Sequence, residues 1–259
     1  MCLLVVAWLS HPRYRLIVAG NRDEFHDRPA APLGWWNDAP GVLAGRDLRA
    51  GGTWMGVARS GRFGIVTNFR NVEAPAAAES PSRGQLVPRF LGEDRAPGAF
   101  LEDLQAAAGR FAGFNLLLGD SSALHYYSNA SDHPPRALPP GIYGLSNHQL
   151  DEPWPKLVRT RRRIAAALAH DDPAPGTLFD ALGDRTPAAI GDVPATGGLP
   201  ADLERALSAP FVRHERYGTR CSTLAFVEHD GRTRVHERRF DAAGAQSGSS
   251  RFEFPGGPR

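Results

Sequence analysis

The chain has 259 residues with 42% hydrophobic and 22% charged side chains, ordinary globular material long enough for one large domain with a sizeable core. Its 30 basic and 28 acidic residues leave a formal net charge of +2 and are spread along the sequence, so the summed field does not mark a nucleic-acid binder. Cys2 and Cys221 are the only cysteines and can form at most one disulfide, which suits a reducing compartment and gives the expectation of a cytoplasmic protein.

The apolar run over residues 2–9 has no basic stretch before it and stops at Ser10, His11 and Pro12, so it reads as a strand rather than a secretory leader. Because the run is continuous rather than alternating, it belongs at the centre of a sheet covered on both faces. Residues 14–20 return with β-branched and aromatic side chains, completing a hairpin that leaves Asn21, Arg22, Asp23 and Glu24 at the end of its second strand. A second hairpin is expected over residues 53–57 and 63–67, turning at Ser60 and Gly61 and closing on Asn68. Further strand pairs join 114–118 to 124–128 and 222–227 to 234–240 across Asp- and Gly-containing turns. Helical periodicity covers 82–91, 100–108 and, most clearly, 156–170, where Leu157, Val158, Ile164 and Leu168 oppose a solvated face of Arg159, Arg162 and Arg163. Residues 171–200, rich in Pro, Gly and Asp, read as a loop, and residues 242–259 as a flexible tail after a single domain over 1–241. Hairpins separated by helical blocks favour an α+β fold with two stacked antiparallel sheets between helical layers. No apolar stretch reaches the roughly 20 residues needed to cross a bilayer, so no transmembrane segment is expected.

A thiol at position 2 is small enough to permit removal of Met1, which would place a free α-amine beside it. Such an amine titrates near neutral pH and serves as a general base, and the thiol is the most nucleophilic of the common side chains, so one residue can supply both base and nucleophile. The alternative is a buried strand cysteine with Met1 retained. Arg22 beside the thiol would favour thiolate, and Asp23 or Glu24 beside the amine would orient it; the same residues can equally tie down a loop as an ion-pair network. In a strand, Arg22 and Glu24 share one face and Asn21 and Asp23 the other. The nine histidines show no paired spacing with cysteines or carboxylates, so no metal site is expected.

Met1 and Cys2, then Asn21, Arg22, Asp23 and Glu24, then Gly51, Gly52, Thr53 and Trp54, then Thr67 and Asn68, resemble the pattern of the NRDE-motif proteins, the transport-and-Golgi-organisation family, over nearly the whole chain. That family in turn is similar to the N-terminal-nucleophile hydrolases, four-layer αββα sandwiches, and among them to the group of choloylglycine hydrolases, penicillin V acylases and acid ceramidase. In that group an N-terminal cysteine is followed by a strand-end Gly-Arg-x-x-Asp element. Aligned without a gap, Gly20 takes the glycine position, Asn21 falls where the arginine belongs and Glu24 where the aspartate belongs, so either Arg22 and Asp23 take those roles through a local shift or the site is repurposed and the amide-cleaving geometry is lost.

The resemblance implies Cys2 as nucleophile, Arg22 near the sulfur, Asp23 near the α-amine, oxyanion contacts from Asn68 and Asn147, and Arg220 as a late arginine near the nucleophile. Asn21, Glu24, Trp54 and Phe69 are then candidates for substrate binding. The reaction implied is cysteine-dependent hydrolysis of a linear amide with no required cofactor. The alternative is a non-catalytic binding or trafficking protein that holds haem, acyl-CoA or another lipid in the same pocket, with aromatic walls from Trp8, Trp35, Trp36, Trp54 and Phe69.

Overall fold

The apolar run at the start of the chain forms β1 (Cys2–Trp8), and the chain returns antiparallel to it as β2 (Tyr14–Phe25). The computed structural model describes residues 2–70, 80–192 and 199–256. Leu4, Val6, Trp8, Leu16 and Val18 point into one apolar cluster, while Leu3, Val5, Ala7, Ile17 and Ala19 point into another, which is why these strands needed apolar residues at every position.

The chain then builds a sheet of its own from β3 (Ala30–Trp35), β4 (Val42–Asp47), β5 (Met55–Ala58), β6 (Phe63–Asn68), β7 (Phe114–Gly119), β8 (Leu124–Ser128) and β9 (Arg136–Ala137), paired in that order. Two helices, α1 (Leu86–Gly92) and α2 (Pro97–Gln105), interrupt it between β6 and β7 and cover its outer face through Val87, Phe90, Phe100 and Leu101. The remainder rejoins the first hairpin. Strand β10 (Gly141–Leu145) pairs with β1, and β11 (Tyr217–Glu228), β12 (Thr233–Phe240) and β13 (Gln246–Phe254) extend the sheet beyond β2, giving the order β10-β1-β2-β11-β12-β13. Helices α3 (Pro155–Ala167) and α4 (Pro175–Leu182) pack on its outer face, and α5 (Ala201–Leu207) precedes β11.

The inner faces of the two sheets meet over Leu4, Trp8, Leu43, Phe63 and Leu117. The result is the expected α+β architecture of four layers, helix, sheet, sheet, helix, with both sheets antiparallel.

Two expectations are corrected. Within residues 171–200 lies α4: Pro175 occupies its first turn, where a missing N–H costs nothing, and Leu178, Phe179, Ala181 and Leu182 face the six-stranded sheet. The Pro- and Gly-rich residues around it are its ends. Residues 242–259 are not a flexible tail as far as Phe254, because β13 pairs with β12 over Thr233–Phe240 after a turn in which Gly244 has φ 74°. Phe252 and Phe254 pack edge-on against Trp35 at 6.5 and 5.1 Å between ring centroids, so the domain runs past residue 241. Among the described residues no helix is long and apolar enough to cross a membrane, and no group of His, Cys, Asp and Glu is arranged to hold a metal.

Candidate active site

The register of the central strands sets Cys2 opposite Arg22 on one side, and Cys221 opposite Arg22 on the other. Both cysteines are free, and they lie two strand spacings apart, roughly 9–10 Å, beyond the reach of a disulfide. Cys2 is half-buried and belongs with Leu4 to the face that meets the second sheet. Arg22 shares that face, and there its guanidinium meets Asp47 of the opposite sheet at 3.3 Å and Glu24 at 3.7 Å, stacked 4.4 Å from the centre of the Trp54 ring. Asp47 is itself fixed: Arg28 reaches it at 2.6 Å and the backbone N–H groups of Arg49 and Ala50 donate to its Oδ1. Burial pushes the Asp47 carboxyl up, but these hydrogen bonds and the two arginines hold it below its ordinary value.

Asn21 and Asp23 point to the other face, toward the helices. The Asn21 carboxamide donates to the carbonyls of Leu182 and Pro210, both at 2.9 Å, and accepts from the Ser222 hydroxyl at 2.6 Å, so its side chain ties the sheet to the segments around it. Asp23 is buried and accepts the Thr219 hydroxyl at 2.7 Å, while the Tyr217 hydroxyl donates to its backbone carbonyl at 2.7 Å. Burial pushes its carboxyl up, and the Lys156 ammonium and the Thr219 hydroxyl oppose that rise. Lys156 enters from the first turn of α3, 1% exposed. Burial pulls it down to about 8, against the opposing pull of Asp23. The Cys2 thiol responds to the same neighbours: burial raises it and the Asp23 carboxylate adds to the rise, while the Asp23 backbone N–H and Arg22 favour the thiolate.

The third wall comes from the loop between β10 and α3. Asp151 Oδ1 accepts the Gly144 N–H at 2.8 Å and clamps that loop, within which Asn147 has φ 59°, a conformation asparagine tolerates better than most residues. Asn147 Oδ1 accepts the Cys2 backbone N–H at 2.6 Å, and its Nδ2 donates to the Asn68 carbonyl at 2.8 Å. One end meets a donor and the other an acceptor, which settles the orientation of the carboxamide. Asn68 and Asn147 then border a cleft of about 790 Å³ together with Phe69, Arg83, Leu203 and Tyr217. A separate void of about 20 Å³, room for one water, touches Cys2, Arg22, Trp54 and Thr67.

Gly52 lets the backbone approach that Trp54 requires: a Cβ there would sit 2.2 Å from the Gly84 carbonyl oxygen, and Thr53 donates its N–H to that same oxygen at 2.9 Å. Of the candidate residues, Cys2, Arg22, Asp23, Glu24, Trp54, Asn68 and Asn147 gather at one end of the sandwich, and Phe69 stacks on His148 at the cleft wall, 4.9 Å between ring centroids. Arg220 instead donates to the carbonyls of Phe25 and His26 at 2.9 and 3.0 Å, pinning the turn after β2.

Sequence reasoning missed Asp47, Arg83 and Lys156. Lys156 carried a signal, since it is the only lysine in a chain whose other bases are all arginine. Asp47 carried none, because its partner Arg22 lies on the other sheet.

The family model described as "Transport and Golgi organisation 2" matches residues 1–242. Transport and Golgi organization protein 2 homologs of Bos taurus and Homo sapiens are 33% and 32% identical, each over 92% of this chain and 92% of the relative. The Drosophila melanogaster protein is 28% identical over 69% of both chains. Among solved structures, a Caenorhabditis elegans N-acylethanolamine-hydrolyzing acid amidase ortholog covers 86% of this chain and 92% of its own at 10% identity, with a TM-score of 0.48. With a model match over residues 1–242 and a relative at one-third identity over 92% of both chains, the chain belongs to the Transport and Golgi organisation 2 family.

Proposed function

We propose that the chain is a cysteine amidohydrolase that hydrolyses linear amides once Met1 has been removed. The observation that carries this reading is the 2.6 Å hydrogen bond from the Cys2 nitrogen to Asn147 Oδ1, on a residue whose sheet partner is Arg22. Removal of Met1 turns that nitrogen into a free amine. Asn147 then orients the amine, Asp23 and Arg22 set the charge around it, and the Asp23 backbone N–H favours the thiolate.

The amine takes the thiol proton, Sγ bonds to the amide carbon, and the oxyanion is met by amide N–H groups at the mouth of the cleft, from the Asn68 side chain and the second hydrogen of Asn147 Nδ2. Collapse breaks the C–N bond as the proton passes from the ammonium to the leaving nitrogen. Water then attacks the thioester, releases the acid and returns a proton to sulfur. A long-chain N-acyl amide is the suitable test substrate, because Phe69, Leu203 and Tyr217 give the cleft an apolar wall. Cys2→Ala is expected to abolish turnover, and rapid quenching to reveal an acyl group on the wild-type N-terminal cysteine by mass. Undiminished turnover in Cys2→Ala contradicts the mechanism.

One observation favours a second reading, a carrier of acyl-CoA, haem or another lipid in this cleft: burial raises the Cys2 thiol, which suits a silent side chain. Saturable binding indifferent to Cys2→Ala, with no amide turned over, would establish that reading in place of the first.

A further inference from the structure

The cleft beside Asn147 has a half-buried cation, Arg83, whose charge the described residues leave unanswered; Arg216 and Glu215 also line it, at exposed positions where water screens them. Among the described residues the Arg83 side chain makes a single hydrogen bond, from Nη1 to the Gly113 carbonyl at 2.8 Å. Among the described residues no carboxylate lies within 4 Å of it, whereas Asp202 on the facing wall is taken by His214 at 3.3 Å. A guanidinium has five N–H donors in a planar fork, and removing one from water without a counter-charge is costly. Burial accordingly pulls Arg83 below its ordinary value, while the charges of Cys2 and Glu24 act on it in the opposite sense. The same cleft carries apolar surface from Phe25, Phe69, Leu203, Leu207 and Tyr217.

We propose that Arg83 is the anchor for a substrate carboxylate, so that the cleft takes N-acylated amino acids, with the acyl chain on the apolar wall and the carboxylate on the guanidinium fork. As to the amide this rests on the hydrolase reading; the carboxylate subsite stands on the cleft and its arginine. A carboxylate fits because it accepts two parallel N–H groups from one guanidinium, which a neutral amide end cannot.

The test pairs N-dodecanoylglycine with its neutral isostere N-dodecanoylglycinamide. Binding is measured on full-length Cys2→Ala, where no turnover intervenes, and kcat/KM on the wild type. The expected result is binding of the acid at least about tenfold tighter than of the amide, with Arg83→Met bringing the ratio close to one while affinity for the neutral compound holds, and Arg83→Lys keeping part of the preference. Circular dichroism checks that the variants fold, and Arg83→Gln makes the same comparison if Arg83→Met does not. Equal affinity for acid and amide, or a preference that survives loss of Arg83, overturns the proposal. A preference lost with Arg83 in a protein that hydrolyses neither compound keeps the subsite and rejects the hydrolase; hydrolysis of both at equal kcat/KM, unchanged by Arg83→Met, keeps the hydrolase and rejects the subsite.

Discussion

Lys156 puts an ammonium at the positive end of a helix and almost wholly out of water, two placements that oppose a cation. The Asp23 carboxylate opposes part of that penalty through its charge. Because burial pulls the folded-state value to about 8 from 10.5, the unfolded chain holds a proton between those pH values that the folded chain has lost. The penalty from Lys156 is therefore complete below pH 8 and fades as pH rises to 10.5, so the stability of the wild type relative to Lys156→Met should rise by about 3 kcal/mol across that window. Denaturant titrations of both proteins at several pH values check the slope, and parallel curves would show that Lys156 is not perturbed. At this scale the candidate residues were legible by type: Arg22 and Asp23 stood out as polar groups at the end of an apolar strand. Their partners were not. Asp47 reaches Arg22 across the sandwich, Lys156 acts on Asp23 electrostatically from a helix more than a hundred residues later, and neither relation follows from local spacing.

Elements with their own turn chemistry were readable, and those stabilised by distant segments were not. The pairs β1–β2, β5–β6, β7–β8 and β11–β12 each close across a short turn and alternate or saturate with apolar residues. Strands β3 and β13 are individually unremarkable and gain their packing from each other, through Trp35 with Phe252 and Phe254. Phe254→Ala should then cost about 3 kcal/mol by urea denaturation, far more than a residue in a flexible tail, for which no change is expected. The glycine pair before Trp54 belongs to the same scale. Gly52→Ala sets a methyl 2.2 Å from a backbone oxygen that has no side chain to swing away, so a loss of about 2–3 kcal/mol is expected, together with displacement of Trp54 from beneath Arg22. Tryptophan fluorescence and denaturation of that variant report both; a variant of wild-type stability and spectrum would mean that the loop has room to spare.

The whole molecule explains why one end of the sandwich carries the site. Two sheets meeting face to face need apolar side chains along their shared interior, and polar groups are tolerated where the layers open, here at the start of β1 and the end of β2. At that opening Arg22 of one sheet is tied to Asp47 of the other, the loop after β10 brings Asn147 onto the Cys2 nitrogen, and a cleft of about 790 Å³ begins at Asn147. The central claim is that this nitrogen becomes a free amine beside a reactive thiol. It is tested most directly by intact-protein mass spectrometry of the natively produced chain before and after brief treatment with iodoacetamide at neutral pH. The account predicts a mass lacking Met1 and a single fast adduct on the N-terminal cysteine, with Cys221 untouched in the core. A mass that retains Met1, or a Cys2 no faster to react than Cys221, would contradict it.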